Sequence, residues 1–135
     1  MAADGLTTIK SAYSAQETMA RLEAAVIAKG MTVFAHIDHA ASAVEAGLPL
    51  RPTDLLIFGS PKGGTPVMQS VQTAGIDLPL KALVWQDEAG ITWLSYNTPT
   101  WIAERHGADA QAAIHGMTGA IEAIAATATS ESTKR

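Results

Sequence analysis

No cysteine occurs among the 135 residues. That excludes a disulfide, a thiol nucleophile, a thiolate zinc site and a cysteine-bound iron–sulfur cluster. Charge is sparse as well. Only 16% of residues are charged, and 9 basic side chains face 13 acidic ones for a net charge of −4. No basic field exists to draw in a phosphate backbone, so nucleic acid is not an expected partner. Long apolar runs are missing. The longest stretch, Leu78 to Trp85, is interrupted by Lys81, and a bilayer span needs about 18 apolar residues or more. The opening Met1-Ala2-Ala3-Asp4-Gly5 has neither the basic n-region nor the apolar h-region of a secretory signal. The expectation is a cytoplasmic protein with no membrane partner. Gly-x-Ser-x-Gly, His-Glu-x-x-His and a dinucleotide fingerprint are all absent, so no cofactor is expected.

What remains is an apolar chain, 47% hydrophobic, which rules out a disordered one. A chain of this length buries roughly 68–70% of its unfolded surface and supports one core. The expected organisation is a single domain over 5–128 and a polar tail over 129–135.

Apolar periodicity and caps give the elements. Leu6 to Lys10 is β-rich. Ser14 and Glu17 form a capping box before Met19, Leu22 and Val26, which predicts a helix over Ala15–Lys29 ending at Gly30. Met31 to Asp38 reads as a strand with Val33, Ala35 and Ile37 on one face and Phe34, His36 and Asp38 on the other. Ala40–Ala46 suits a short helix. Asp54–Phe58 is apolar on both faces, as a central strand is. Thr65 and Pro66 suit a helix start. Leu80–Gln86 and Ile91–Tyr96 read as a hairpin around Asp87-Glu88-Ala89-Gly90. Two helices, Thr100–His106 and Asp109–Ala126, close the chain. The order β-α-β-β-α-β-β-α, with a short extra helix after the second strand, predicts an α+β fold: a mixed, mainly antiparallel sheet with helices on one face.

Several segments together carry a family resemblance. They are Gly5-Leu6-Thr7-Thr8, Ile37-Asp38-His39, Phe58-Gly59-Ser60-Pro61 with Gly64-Thr65-Pro66, Asp77-Leu78-Pro79-Leu80-Lys81, and Ser95-Tyr96-Asn97 with Pro99. From about Gly5 to Ala126 the chain resembles the bacterial and archaeal family named domain of unknown function 302. The resemblance implies a TBP-like α+β topology and a homodimer. It implies no reaction.

Two regions gather candidate chemistry. Gly59, Ser60, Lys62, Gly63, Gly64 and Thr65 stand between a buried strand and a helix start, where backbone N–H groups and the helix dipole favour an anion. The run lacks the lysine of a phosphate-binding P-loop, and a plain strand-to-helix turn is the simpler reading of it. His36 and Asp38 share a strand face and could act as a base and its orienting partner. With His106 they could also offer ligands to a metal or haem. At a helix end, however, His106 needs no role beyond the dipole. The expected function is a dimeric module binding a small molecule, an anion among the options, between the Gly59–Thr65 loop and the polar sheet end. A cofactor-independent enzyme using His36 and Asp38, a histidine-ligated metal or haem site, and a purely structural interaction domain are the alternatives.

Overall fold

Local chemistry fixes the first helix. The Ser14 hydroxyl accepts the Glu17 N–H at 3.1 Å, and the helix α1 runs over Ala15–Ala28. Lys29 closes it and Gly30 takes the left-handed turn at φ 79°. The structure is a computed structural model, and it describes residues 3–131. Before α1 lies strand β1 (Leu6–Lys10), and after it come β2 (Thr32–Asp38) and α2 (His39–Glu45). Then follow β3 (Thr53–Gly59), α3 (Pro61–Ser70) and a 3-10 turn (Gln72–Ile76). The hairpin β4 (Leu80–Gln86) and β5 (Thr92–Asn97) leads to α4 (Pro99–His106) and α5 (Gln111–Thr129).

The five strands form one sheet in the order β1-β5-β4-β3-β2. All four pairings are antiparallel. The mainly antiparallel α+β sheet expected is present, antiparallel throughout, with β1 crossing to β5. Leu56, Phe58, Leu80, Ala82, Val84, Leu94 and Tyr96 alternate along the three central strands and are all buried. They face α1 and α5, whose Leu22, Val26, Ile121 and Ile124 complete the core. The helices therefore cover one face only, as the sequence implies. The other face carries Leu6, Thr8, Leu55, Ile57, Leu83, Trp85, Trp93 and Ser95, and among the described residues no helix packs over it. Its indole N–H groups are satisfied internally: Trp85 donates to the Ser95 hydroxyl and Trp93 to the Asp87 carboxylate.

Three strand and helix details depart from the sequence reading. Val33 pairs with Phe58 and Ala35 with Ile57, leaving Phe34 as a bulge. A bulge reverses the alternation, so Val33 stays on the helix side while Ala35 and Ile37 turn to the open face. His36 and Asp38 do share a face, opposite Leu56 and Asp54. The second departure is α3. It starts at Pro61, with Ser60 as N-cap, so Thr65 and Pro66 lie inside the helix. The last helix also runs further than expected, to Thr129, and Ser130 accepts a hydrogen bond from the Tyr13 hydroxyl at 3.1 Å. Residues 132–135 of the expected tail lie outside the described residues.

Candidate functional site

The β3–α3 junction makes a pocket. Gly59 ends β3, Ser60 turns the chain, and α3 leaves at once, so the sheet end, the first turn of α3 and α5 cannot close on each other. The cavity is about 400 Å³ and is lined by Met31, Phe34, Gly59, Ser60, Pro61, Gly63, Gly64, Thr65, Met68, Leu78, Pro79, Leu80 and Met117. Of the predicted residues it gathers Gly59, Ser60, Gly63, Gly64 and Thr65. Lys62 is exposed and outside the lining.

The glycines here serve packing. A Cβ on Gly63 would stand 3.1 Å from Met117 Cγ, and one on Gly64 would stand 3.7 Å from both Leu78 Cδ1 and Met68 Cε. A side chain larger than methyl at either position must enter the pocket or displace a wall.

The expected anion cradle meets an obstacle in the first turn of α3. Pro61 has no N–H. The Lys62 N–H goes to the Ser60 hydroxyl at 3.3 Å, and the Gly63 and Gly64 N–H groups go to the Ser60 carbonyl at 3.0 and 3.1 Å. The first-turn donors that would bind an anion are taken up within the turn. The Gly59–Thr65 run is thus a capped helix start bordering an apolar cavity, and not a loop of free amides.

His36 and Asp38 lie elsewhere. Asp54 and Gly59 stand at opposite ends of β3, about 17 Å apart at the usual strand rise. The expected single site between the Gly59 turn and the His36–Asp38 face is therefore corrected to two separate places. The carboxylate that the structure pairs with His36 is Asp54, with Nε2 3.7 Å from Oδ1. Asp38 instead caps α2, its Oδ1 accepting the Ala41 N–H at 2.8 Å. Among the described residues no group of three or more His, Asp or Glu side chains is placed to hold a metal. The joint His36, Asp38 and His106 ligand set is corrected: His106 sits at the end of α4, bonded to Asp77.

Asp54 Oδ1 is buried with no hydrogen-bond partner. Burial raises the Asp54 pKa above the ordinary carboxylate value, the Asp38 charge raises it further, and His36 opposes both. A raised carboxylate stabilises the fold below its ordinary pKa, and that contribution is lost as pH rises through the folded value. Asp54→Asn is expected to raise the melting temperature at pH 7, with the gain vanishing in acid. Thermal scans at pH 7 and pH 3 check this.

A third cluster was not anticipated. His106 Nε2 lies 2.6 Å from Asp77 Oδ2, and its Nδ1 lies 3.0 Å from the Thr73 hydroxyl. Arg105 donates to both Asp77 oxygens, at 2.9 and 2.8 Å. Burial pushes the Asp77 pKa up, but the His106 hydrogen bond and the Arg105 charge outweigh it and hold the carboxyl below its usual range. The Lys81 ammonium donates to the Asp77 and Pro79 carbonyls at 3.3 and 3.0 Å, tying down the same turn. Asp77 was visible only as the first residue of a motif, and nothing in the sequence pairs it with a helix end 29 residues away. No helix among the described residues is long and apolar enough to cross a membrane.

Comparison with known proteins completes the description. Fluoride-specific ion channel FluC 1 of Brucella suis biovar 1 (strain 1330) is 46% identical over 127 residues, covering 90% of this chain and 50% of that protein. The protein of the same name from Brucella abortus biovar 1 (strain 9-941) is also 46% identical, covering 90% of this chain and 47% of its own length. The chain spans about half the length of these curated relatives. A crystal structure of an uncharacterized conserved protein DUF302 from Bacillus stearothermophilus superposes with a TM-score of 0.81 at 22% identity. It covers 93% of this chain and 99% of its own, a likeness of fold alone. The pattern of the family described as "Domain of unknown function DUF302" matches residues 7–124, and the chain belongs to that family.

Proposed function

We propose that the protein is a small-molecule-binding module whose ligand occupies the β3–α3 pocket and is mainly apolar and uncharged. The observation that carries this reading is the lining. Met31, Met68 and Met117 converge there with Phe34, Leu78 and two prolines, and thioether side chains adapt to the shape of an apolar guest. The volume falls in the range of about 300–1,000 Å³ usual for ligand pockets. The first-turn amides are taken up within the turn, and Lys62 stands outside the lining.

The neutral fluorophore N-phenyl-1-naphthylamine tests the proposal. It is expected to bind wild type saturably with one equivalent. In Gly64→Leu, whose side chain projects toward Leu78 and Met68, affinity is expected to fall at least tenfold while cooperative unfolding is retained. Equal binding in both proteins overturns the reading. So does a saturable rise in melting temperature with phosphate that Lys62→Ala removes, since that result restores the anion.

The uncovered sheet face supports association of two copies. It presents Leu55, Ile57, Leu83, Trp85 and Trp93 side by side, and exposed apolar patches of this kind mark interaction surfaces. A dimer is expected in sedimentation at tens of micromolar, within roughly ordinary dimer affinities, with Leu83→Arg shifting it to monomer. The channel name of the curated relatives suggests one setting for such a module. A ligand-sensing domain accompanying an ion channel needs no conducting path of its own.

A further inference from the structure

Thr73, His106 and Asp77 form a chain of three groups that the ligand pocket does not use. The contacts run from the Thr73 hydroxyl to His106 Nδ1 at 3.0 Å, and from His106 Nε2 to Asp77 Oδ2 at 2.6 Å. Two segments build it. Thr73 belongs to the 3-10 turn Gln72–Ile76 and Asp77 follows it, while His106 is the last residue of α4, before the left-handed Gly107 at φ 68°. The carboxylate assigns the tautomer. A carboxylate accepts only, so Nε2 carries the proton, and in the neutral ring Nδ1 is then an acceptor. In that neutral form the Thr73 O–H donates to it. This is the protonation pattern in which a histidine can remove a hydroxyl proton. Access is arranged accordingly: the side chains of His106 and Asp77 are only 10% and 14% exposed, whereas Thr73 stands at the surface. Arg105, bonded to both carboxylate oxygens, fixes the far end.

A clamp between the 3-10 turn and α4 needs only the Asp77 contacts. It does not need a surface hydroxyl on the remaining ring nitrogen, where water would serve. From this arrangement we propose that Thr73 is a nucleophile for small acyl esters, with His106 as its general base. Thr73 Oγ forms a bond to the acyl carbon, and its proton passes to His106 Nδ1. The bond from the acyl carbon to the leaving oxygen breaks, and that oxygen takes the proton from Nδ1. Water then attacks the acyl-threonine, gives a proton to Nδ1, and Thr73 leaves and regains it. The products are a carboxylic acid and an alcohol. The surface position of Thr73 suits short acyl groups. Asp77 is a positioning residue, acting through the ring it orients. The proposal is independent of the apolar pocket.

The test uses the full chain with p-nitrophenyl acetate, reading both phenolate release and the site of acetylation by peptide mapping. Wild type is expected to carry acetyl on Thr73 and to release phenolate at least tenfold faster than Thr73→Val, since general base assistance contributes about 10²–10⁴. Thr73→Val keeps the shape of a surface side chain, and an unchanged melting temperature shows that its fold is intact. His106→Ala is expected to lose the Thr73 label and to recover it with added imidazole. Asp77→Glu is expected to keep part of the labelling that Asp77→Ala loses. Acetyl found only on lysines, or equal release by wild type and Thr73→Val, overturns the assignment and leaves the cluster a clamp.

Discussion

Leu56→Asp is expected to leave no cooperatively folded protein. Leu56 is fully buried at the middle of β3, with β2 on one side and β4 on the other, opposite His36 and Ala82. Its side chain meets the core beneath α1 and α5. The substitution removes a large apolar side chain, which costs about 2–5 kcal/mol when leucine becomes alanine in a core. It also places a carboxylate where no cation lies, and an unpaired buried charge costs several kcal/mol more after relaxation. A chain of this length has about 7–20 kcal/mol of stability in all. Circular dichroism during urea titration checks the prediction. A sigmoidal transition in the Leu56→Asp protein would show that β3 is not central to the fold.

Leu56 also shows how much was legible. A run apolar on both faces, Leu55 to Phe58, fits a central strand, and in the sheet it lies between β2 and β4 with one face under the helices and the other uncovered. The cap of α1 was equally plain: Ser14 bonds the N–H three residues on, and Gly30 takes the turn after it. The start of α3 was not plain. Two cap-proline pairs, Ser60-Pro61 and Thr65-Pro66, offer the same local chemistry. Packing decides between them, because an early start brings Gly63 and Gly64 against Met117, Met68 and Leu78. Helix propensity argues against glycines inside a helix, and tertiary contact overrides it. The Phe34 bulge has no glycine to announce it, so the alternation after Val33 was misread. The pocket residues were found as a turn motif, whereas their apolar character comes from Met31, Phe34 and Met117, which enter from other elements. The Asp77–His106 contact joins distant segments, and no local rule reports it.

Gly5→Ala is expected to have the second-largest effect, a loss of about 2–5 kcal/mol, built from a left-handed backbone penalty of about 1–2 and an overpacking cost of about 1–3. Gly5 has φ +75°, and a Cβ there would stand 2.1 Å from Trp101 Cγ and 2.5 Å from Trp101 Cβ. The indole cannot simply swing aside, since its own Cβ is among the blocked atoms. The backbone of Gly5 cannot retreat freely either, because its carbonyl accepts the Thr98 N–H at 2.9 Å. Gly30→Ala is the matched control. Gly30 has the same sign of φ, at +79°, and nothing within 4 Å of an added Cβ. It is expected to cost only the backbone share, about 1–2 kcal/mol. The difference between the two variants in chemical denaturation isolates the Trp101 clash. Equal losses in both would place the whole cost in the backbone.

The pairing of β1 with β5 has a consequence for how the chain is made. Thr8 meets Ser95 across 87 positions of sequence, so β1 has no neighbour until β5, the last strand of this sheet, has been made. Synthesis at about 5–20 residues per second leaves that strand waiting for several seconds. During that interval β2 and β3 can already pair and α1 can form, with Leu6 and Ile9 of β1 still unclaimed. Closing so long a loop slows folding far more than it lowers stability. A nascent chain arrested before Thr92 is therefore expected to hold β2–β3–β4 as a partial sheet and to leave the β1 segment unpaired. Release of β5 would then let β1 pair along its edge and complete the sheet in one step.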